Sequence, residues 1–168
     1  MSVASLELMA AESGLVVEQD LDADLPLIRG DSVKLRQVFT NLIGNAIKFT
    51  RAGGSVCIRA MRQTDGGALV EIVDSGMGMS EEEIKIALTP FGQVDGGRAR
   101  LREGTGLGLP IAKSLVELHS GRLSIVSQKN TGTTVTVMLP SRHAVTAVNC
   151  SDLEVPASPR SQQPVAAL

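Results

Sequence analysis

The chain has 168 residues, and its 16 Lys and Arg against 18 Asp and Glu give a formal net charge of −2. With 43% hydrophobic and 20% charged residues, it is typical of one globular domain. The near-neutral charge and the absence of Trp and Tyr argue against nucleic acid as a main partner. No apolar run is long enough to cross a bilayer, and no signal-peptide pattern opens the chain, so we expect a cytoplasmic location without membrane contact.

Hydrophobic patterning divides the chain into a folded part, residues 1–140, and a Pro-, Ser- and Ala-rich flexible tail, residues 141–168. In chain order the pattern predicts a helix at 4–13, an extended stretch at 15–18, a long helix at 33–49, strands at 55–62 and 68–74, helices at 81–88 and 107–119, and strands at 122–128 and 133–139. Adjacent hairpins with helices elsewhere predict an α/β fold, a two-layer sandwich whose mixed sheet is covered on one face by helices.

The long predicted helix carries an unusual polar stripe opposite its apolar face. Gln37, Asn41, Asn45 and Lys48 lie within roughly 80° of one another on the helical wheel. Asn is a mediocre helix former, although a solvated surface would be the ordinary explanation of such a stripe. Because amide oxygens can ligate Mg²⁺ and Lys can contact phosphate, the stripe is also a candidate for a metal and phosphate site.

Glycine-rich segments follow one strand and open one helix. Asp74 ends an apolar strand before Ser-Gly-Met-Gly, so its carboxylate could accept a hydrogen bond from a flat ligand, although an Asx turn is the simpler alternative. Residues 104–108, Gly-Thr-Gly-Leu-Gly, open the 107–119 helix, where free N–H groups and the helix dipole favour an anion. The intervening loop, 92–103, contains three Arg and is expected to be a mobile lid.

Together these segments resemble a known family. In order, NLIGNAIKFT (41–50), DSGMG (74–78), PFGQ (90–93) and GTGLGL (104–109) resemble the N, G1, F and G2 boxes of the histidine kinase catalytic domain. The resemblance covers about residues 4–140. That domain belongs to the Bergerat-fold ATPases with gyrase, Hsp90 and MutL, so the resemblance implies this fold and the binding of ATP with Mg²⁺.

The resemblance also implies a role for each matching residue. Asn45 matches the Mg²⁺-ligating Asn, with Asn41 beside it and Lys48 near the phosphates. Asp74 matches the acid that receives the adenine amino group. The other matches are Gly76 and Gly78 in the adenine pocket, Phe91 at the root of the lid, Gly104, Thr105, Gly106, Leu107 and Gly108 in the phosphate loop, and Thr133 as an adenine-side hydroxyl.

One departure separates this chain from the hydrolysing members of the group. Gyrase-like members carry a Glu one turn before the metal-binding Asn to activate water, whereas this chain has Asn41, whose amide cannot take a proton. The resemblance therefore implies a protein-histidine kinase of a two-component system, which gives the ATP γ-phosphate to a His.

The phosphoacceptor is expected outside this chain. Neither His119 nor His143 has the flanking acid of a phosphoacceptor. The expected partners are thus a His-containing dimerisation and phosphoacceptor domain and, indirectly, the receiver domain of a response regulator. Two alternatives stay open: a serine kinase of the anti-sigma-factor type, and a nucleotide-gated interaction module without transfer activity.

Overall fold

The computed structural model describes residues 10–93, 105–141 and 144–145. Within these ranges the strands are β1 (Val16–Leu21), β2 (Leu27–Ile28), β3 (Ser55–Arg62), β4 (Ala68–Asp74), β5 (Arg122–Gln128), β6 (Gly132–Leu139) and β7 (Ala144–Val145), and the helices are α1 (Ser32–Phe49), α2 (Glu81–Ala87) and α3 (Gly108–Leu118). From residue 33 to residue 139, each predicted helix and strand begins and ends within one residue of the observed element. The helix predicted at 4–13 is seen only at residues 10–12, since residues 1–9 lie outside the described ranges.

The main sheet has five strands in the order β1-β3-β4-β6-β5. Strand β1 pairs with β3 in parallel, whereas the other three pairings are antiparallel, so the sheet is mixed as predicted. No helix in the described part of the chain is long and apolar enough to cross a membrane.

One face of the sheet is covered by α1 and α3. The register aligns Ile72, Val135 and Ile125 across β4, β6 and β5, and this row faces the core cluster. The helices complete the cluster with side chains that are 8% exposed or less: Val38, Leu42 and Ala46 from α1, and Ala112, Leu115 and Val116 from α3. Positions on the opposite face, such as Arg59 and Val126, are exposed. The predicted two-layer α/β sandwich is confirmed.

Local hydrogen bonds fix where α1 and α2 begin. Asp31 is the N-cap of α1, and its Oδ1 accepts from the N–H groups of Val33 at 2.9 Å and Lys34 at 3.1 Å. Ser80 and Glu83 form the capping box that starts α2. Short polar side chains at the N-cap therefore account for the accuracy of these two boundaries.

His119 joins the C-terminal end of α3 to the N-terminal end of α1. The imidazole is 9% exposed; its Nδ1 lies 2.8 Å from the Leu115 carbonyl oxygen, and its Nε2 accepts the Asp31 N–H at 3.1 Å. This geometry requires the proton on Nδ1, where it is donated to Leu115. Gly30 makes room for the ring, because an added Cβ there would lie 2.8 Å from His119 Cδ2. The histidine therefore has a structural role, because its two hydrogen bonds join α3 to the start of α1.

The short pair of β2 with β7 lies outside the predicted elements. Leu27–Ile28 pairs antiparallel with Ala144–Val145, which belongs to the segment expected to be a flexible tail. Residues 142–143 and 146–168 lie outside the described ranges, so the domain boundary at residue 140 stays a prediction.

We expect His119→Ala to lower the free energy of unfolding by about 2–3 kcal/mol, because it leaves the Asp31 N–H without its partner and opens a cavity between α1 and α3. Urea unfolding of the full chain measures this change. Leu118→Ala is the matched control: Leu118 is 77% exposed, and its loss should change stability by less than about 0.5 kcal/mol. Equal stability of the two variants would contradict the structural role of His119.

Candidate functional site

Three polar side chains form a second row across the sheet, next to the row that faces the core. Asp74 on β4 is opposite Thr133 on β6, and Thr133 is opposite Ser127 on β5. Because side chains alternate along a strand, these residues share the covered face with Ile72, Val135 and Ile125, two positions away. The sheet thus places a carboxylate and two hydroxyls together at one edge of the hydrophobic layer.

The Asp74 carboxylate is buried enough to change its titration. Burial raises the pKa of Asp74, and the backbone N–H groups of Gly76 and Thr133 oppose the shift by donating to the charged form. The Gly76 N–H lies 2.9 Å from Oδ1. These donors orient the carboxylate. A further hydrogen bond from a ligand would replace bonds to water that the carboxylate loses through burial.

The segment after Asp74 packs too closely for side chains at its glycines. A Cβ added to Gly76 would lie 2.6 Å from both Asp74 Oδ1 and the Phe49 carbonyl oxygen. Gly78 has φ +60°, and an added Cβ would collide with the Gln128 carbonyl group. The segment is therefore fitted between the end of α1 and the β5–β6 hairpin, which also donates the Asn130 N–H to the Met77 carbonyl oxygen at 2.7 Å.

Ser127 was not singled out from the sequence, yet its hydroxyl makes three polar contacts here. Its Oγ accepts the Met79 N–H at 2.7 Å and lies 2.8 Å from Thr133 Oγ1 and 3.0 Å from the Gly132 carbonyl oxygen. The alternation of β5 could have indicated that Ser127 points to the covered face. Finding its partner also required the hairpin register, which pairs it with Thr133.

The polar stripe of α1 meets the start of α3. Asn41 Nδ2 donates to the Gly108 carbonyl oxygen at 3.3 Å, which ties the two helices together. Asn45, one turn later, is half-buried. Lys48, one further turn along, has its Nζ 5.2 Å from the centroid of the Phe49 ring. The structure thus brings Asn41 and Gly108 into contact and leaves Asn45 partly accessible on the same stripe.

The start of α3 has no side-chain cap. Leu107 is the N-cap residue and makes no side-chain hydrogen bond, so its side chain satisfies none of the first N–H groups of the helix. Thr105, two residues before Leu107, is exposed. Such a helix start can take up an anion through its N–H groups and dipole.

The two described ends of the lid segment touch each other. Gly106 has φ +68°, and a Cβ added there would lie 2.9 Å from the carbonyl carbon of Phe91. Phe91 is 72% exposed and has φ +63°, a backbone conformation that is uncommon outside glycine. Gly104 and the Arg-rich part of the predicted lid, with Arg98, Arg100 and Arg102, lie outside the described residues.

The protein oxygens of this site could hold Mg²⁺ only together with a phosphate ligand. No group of three or more His, Cys, Asp or Glu within the described residues could hold a metal ion. Mg²⁺, however, is often bound by one or two protein oxygens with the remaining positions filled by water and substrate phosphates. The half-buried amide of Asn45 suits this arrangement.

Comparison with known proteins identifies relatives among sensory and cell-division proteins. The chain is 41% identical to Drug sensory protein A of Synechocystis sp. over 142 residues, which covers 79% of this chain and 21% of the relative. It is 33% identical to the cell-division control histidine kinase PdhS of Brucella canis over 147 residues, covering 83% of this chain and 14% of the relative. The chain therefore spans 21% and 14% of the length of these two relatives.

Solved structures show the same architecture. The mycobacterial sensor histidine kinase MprB is 28% identical, with a TM-score of 0.68 over 82% of this chain and 89% of that structure. Full-length ShkA in complex with AMPPNP is 28% identical, with a TM-score of 0.71 over 88% of this chain and 31% of that one. Residues 30–143 match the family model described as histidine kinase-, DNA gyrase B- and HSP90-like ATPase. The chain belongs to this ATPase family and carries the catalytic domain of a histidine kinase.

Proposed function

We propose that this domain binds ATP with Mg²⁺ at the edge formed by Asp74 and the start of α3, and donates the γ-phosphate to a His on a separate dimerisation and phosphoacceptor domain. One observation carries the proposal: Asp74 is a half-buried carboxylate whose pKa is raised by burial and whose Oδ1 accepts the Gly76 N–H at 2.9 Å. A ligand amino group is the complementary partner for such an acceptor. A receiver domain of a response regulator is the proposed indirect partner, and the cytoplasm, where ATP is available, the proposed location.

The base end of the site is proposed to hold adenine. Its exocyclic amino group would donate to Asp74, while Gly76 and Gly78 would keep the segment after Asp74 in place, because side chains there would collide with the carbonyl groups of Phe49 and Gln128. The complex of ShkA with AMPPNP, an adenine nucleotide analogue, supports this assignment for a protein of the same architecture.

The phosphate end is proposed to lie between α1 and α3. The uncapped start of α3 would bind the phosphates through its N–H groups, and Lys48 would supply a positive charge from the polar stripe. Asn45 would hold Mg²⁺, which neutralises phosphate charge when it is bound. Phe91, Gly104 and Thr105 are proposed to form the two ends of a lid over these phosphates.

Transfer rather than hydrolysis is proposed because the residue before Asn45 on the stripe is not a base. Asn41 donates one amide N–H to the Gly108 carbonyl oxygen and cannot remove a proton from water. The domain's own His119 is buried with hydrogen bonds at both ring nitrogens, which leaves it unable to attack ATP. The nucleophile is therefore proposed to come from another domain, which orients it at the γ-phosphate.

Asp74→Asn should weaken ATP and ADP binding by at least about tenfold, because an amide loses the charge-assisted hydrogen bond and can present its NH₂ to the adenine amino group. Without nucleotide, the Asp74→Asn variant should have a melting temperature no lower than that of wild type. Since the folded pKa of Asp74 lies above the unfolded one, ionising this group lowers stability at any pH above the folded pKa, and a neutral Asn removes that loss. Calorimetric titration and thermal melting measure the two effects.

Asp65→Asn is the matched control for this substitution. Asp65 accepts the Gly67 N–H at 2.8 Å in a turn at the far end of the β3–β4 hairpin, the same local pattern as Asp74 and Gly76. Nucleotide affinity should be unchanged in this variant. Equal affinities of wild type and a folded Asp74→Asn variant would place the base elsewhere.

Phosphoryl transfer is tested with radiolabelled ATP and the full chain, first alone and then with a phosphoacceptor segment of a histidine kinase. We expect negligible labelling of the chain alone and acid-labile labelling of the segment, because phosphohistidine hydrolyses in acid. Asn45→Ala should strongly reduce the transfer through loss of a metal ligand. Acid-stable labelling of a protein Ser would instead support a serine kinase, and tight ATP binding without any transfer would support a nucleotide-gated interaction module.

A further inference from the structure

We infer that Ser127 is a positioning residue for nucleotide recognition: its hydroxyl directs the proton of Thr133 toward the base and so helps the site to select adenine. The inference rests on the proposed adenine site at Asp74 and adds to it a residue that lies behind the ligand rather than against it. Two observations support it: the hydrogen bonding around Ser127 Oγ, and the register that places Thr133 between Ser127 and Asp74.

Ser127 has one proton and two acceptors within reach. Its Oγ already accepts the Met79 N–H at 2.7 Å, while Thr133 Oγ1 lies at 2.8 Å and the Gly132 carbonyl oxygen at 3.0 Å. A hydroxyl can donate only one hydrogen bond, so the Ser127 proton goes to one acceptor or the other. The choice determines what Thr133 can offer to a ligand.

If the Ser127 proton goes to Gly132, the Thr133 proton must turn inward, because the 2.8 Å contact between the two hydroxyls needs a proton of its own. Thr133 then presents only lone pairs to the site. If the Ser127 proton goes to Thr133, a continuous chain of donors runs from the Met79 N–H through Ser127 to Thr133. The Thr133 proton is then free for a ligand, and each hydroxyl that accepts a bond becomes a better donor.

Adenine selects the second arrangement. Beside its amino group, which the Asp74 carboxylate would accept, adenine has the ring nitrogen N1, an acceptor that takes a proton from Thr133 directly or through one water. A guanine edge reverses both groups: its oxygen would face the carboxylate, and its ring N–H would need the lone pairs of the first arrangement. Asp74 and the donor chain from Met79 through Ser127 to Thr133 thus both favour adenine over guanine.

The test compares ATP with an ATP analogue in which CH replaces N1. In the full chain, Ser127→Ala should weaken ATP binding by about threefold, because Thr133 keeps its hydroxyl but loses the neighbour that orients its proton and makes it a better donor, and it should leave the affinity for the analogue unchanged. Ser124→Ala is the matched control, since Ser124 lies on the same strand but on the exposed face. It should change neither affinity.

A double-mutant cycle separates positioning from a merely structural brace. In a Thr133→Val background, Ser127→Ala should have no further effect on ATP affinity, because the residue it positions has lost its hydroxyl. If Ser127 acted only by holding the Met79 N–H, its effect would persist in that background and would be equal for ATP and the analogue. Either result, or an unchanged ATP affinity in Ser127→Ala, would overturn the inference.

Two further measurements keep the test decisive. If Ser127→Ala fails to fold, Ser127→Cys takes its place in the test. It retains the shape of the side chain but is a weaker donor, so it should also lower the preference for ATP over the analogue. Wild type and Asp74→Asn are titrated alongside. Tight binding by wild type and weak binding by Asp74→Asn would establish the adenine site, so that a negative result at Ser127 would then count against the positioning role alone.

Discussion

A carboxylate placed in a row of core-facing side chains is the constraint on which the rest of this site depends. Asp74 occupies the last position of β4 on the covered face, and burial there raises its pKa. Such a group is tolerated only where hydrogen-bond donors surround it. Backbone N–H groups of Gly76 and Thr133 meet part of this need, which explains why a glycine turn and the start of β6 converge on this point. The acceptor capacity that these N–H groups leave unused is proposed to receive a hydrogen bond from a ligand.

The site also depends on the relative position of the two helices that cover the sheet. Helices α1 and α3 run in opposite directions and are tied near both ends of their contact, by His119 to Asp31 and by Asn41 to Gly108. The core residues between these ties are almost completely buried. Because the polar stripe lies on one helix and the uncapped helix start on the other, this packing sets the distance between the proposed metal and phosphate groups. A fold that is stable for reasons unrelated to ATP thus positions the groups that are proposed to bind it.

Much of this fold could be predicted from the sequence because its signals are local. The 3.6-residue periodicity of α1, the Asp31 and Ser80 caps, and the alternation in β6 each lie within a few residues of the element they define. The short β2–β7 pair was missed, since two-residue strands carry no period and their pairing joins residues more than a hundred positions apart.

The site was predictable in its parts rather than in its connections. The glycine segments and the Asp at a strand end were visible from residue type and spacing. The donation by Asn41 to Gly108, the contact of Gly106 with Phe91 and the three contacts of Ser127 depend on tertiary packing, which no local pattern encodes. Serine in particular is too common in strands and turns for its type to indicate a role. Its position between Met79 and Thr133 gives Ser127 its significance.

The most direct measurement is an experimental structure of the full chain with Mg²⁺ and a non-hydrolysable ATP analogue. The proposed site predicts the adenine amino nitrogen within about 3 Å of an Asp74 carboxylate oxygen, the phosphates at the start of α3, and the metal ion in contact with the Asn45 amide oxygen. A nucleotide whose base lies away from Asp74, or whose phosphates lie away from α1 and α3, would contradict it.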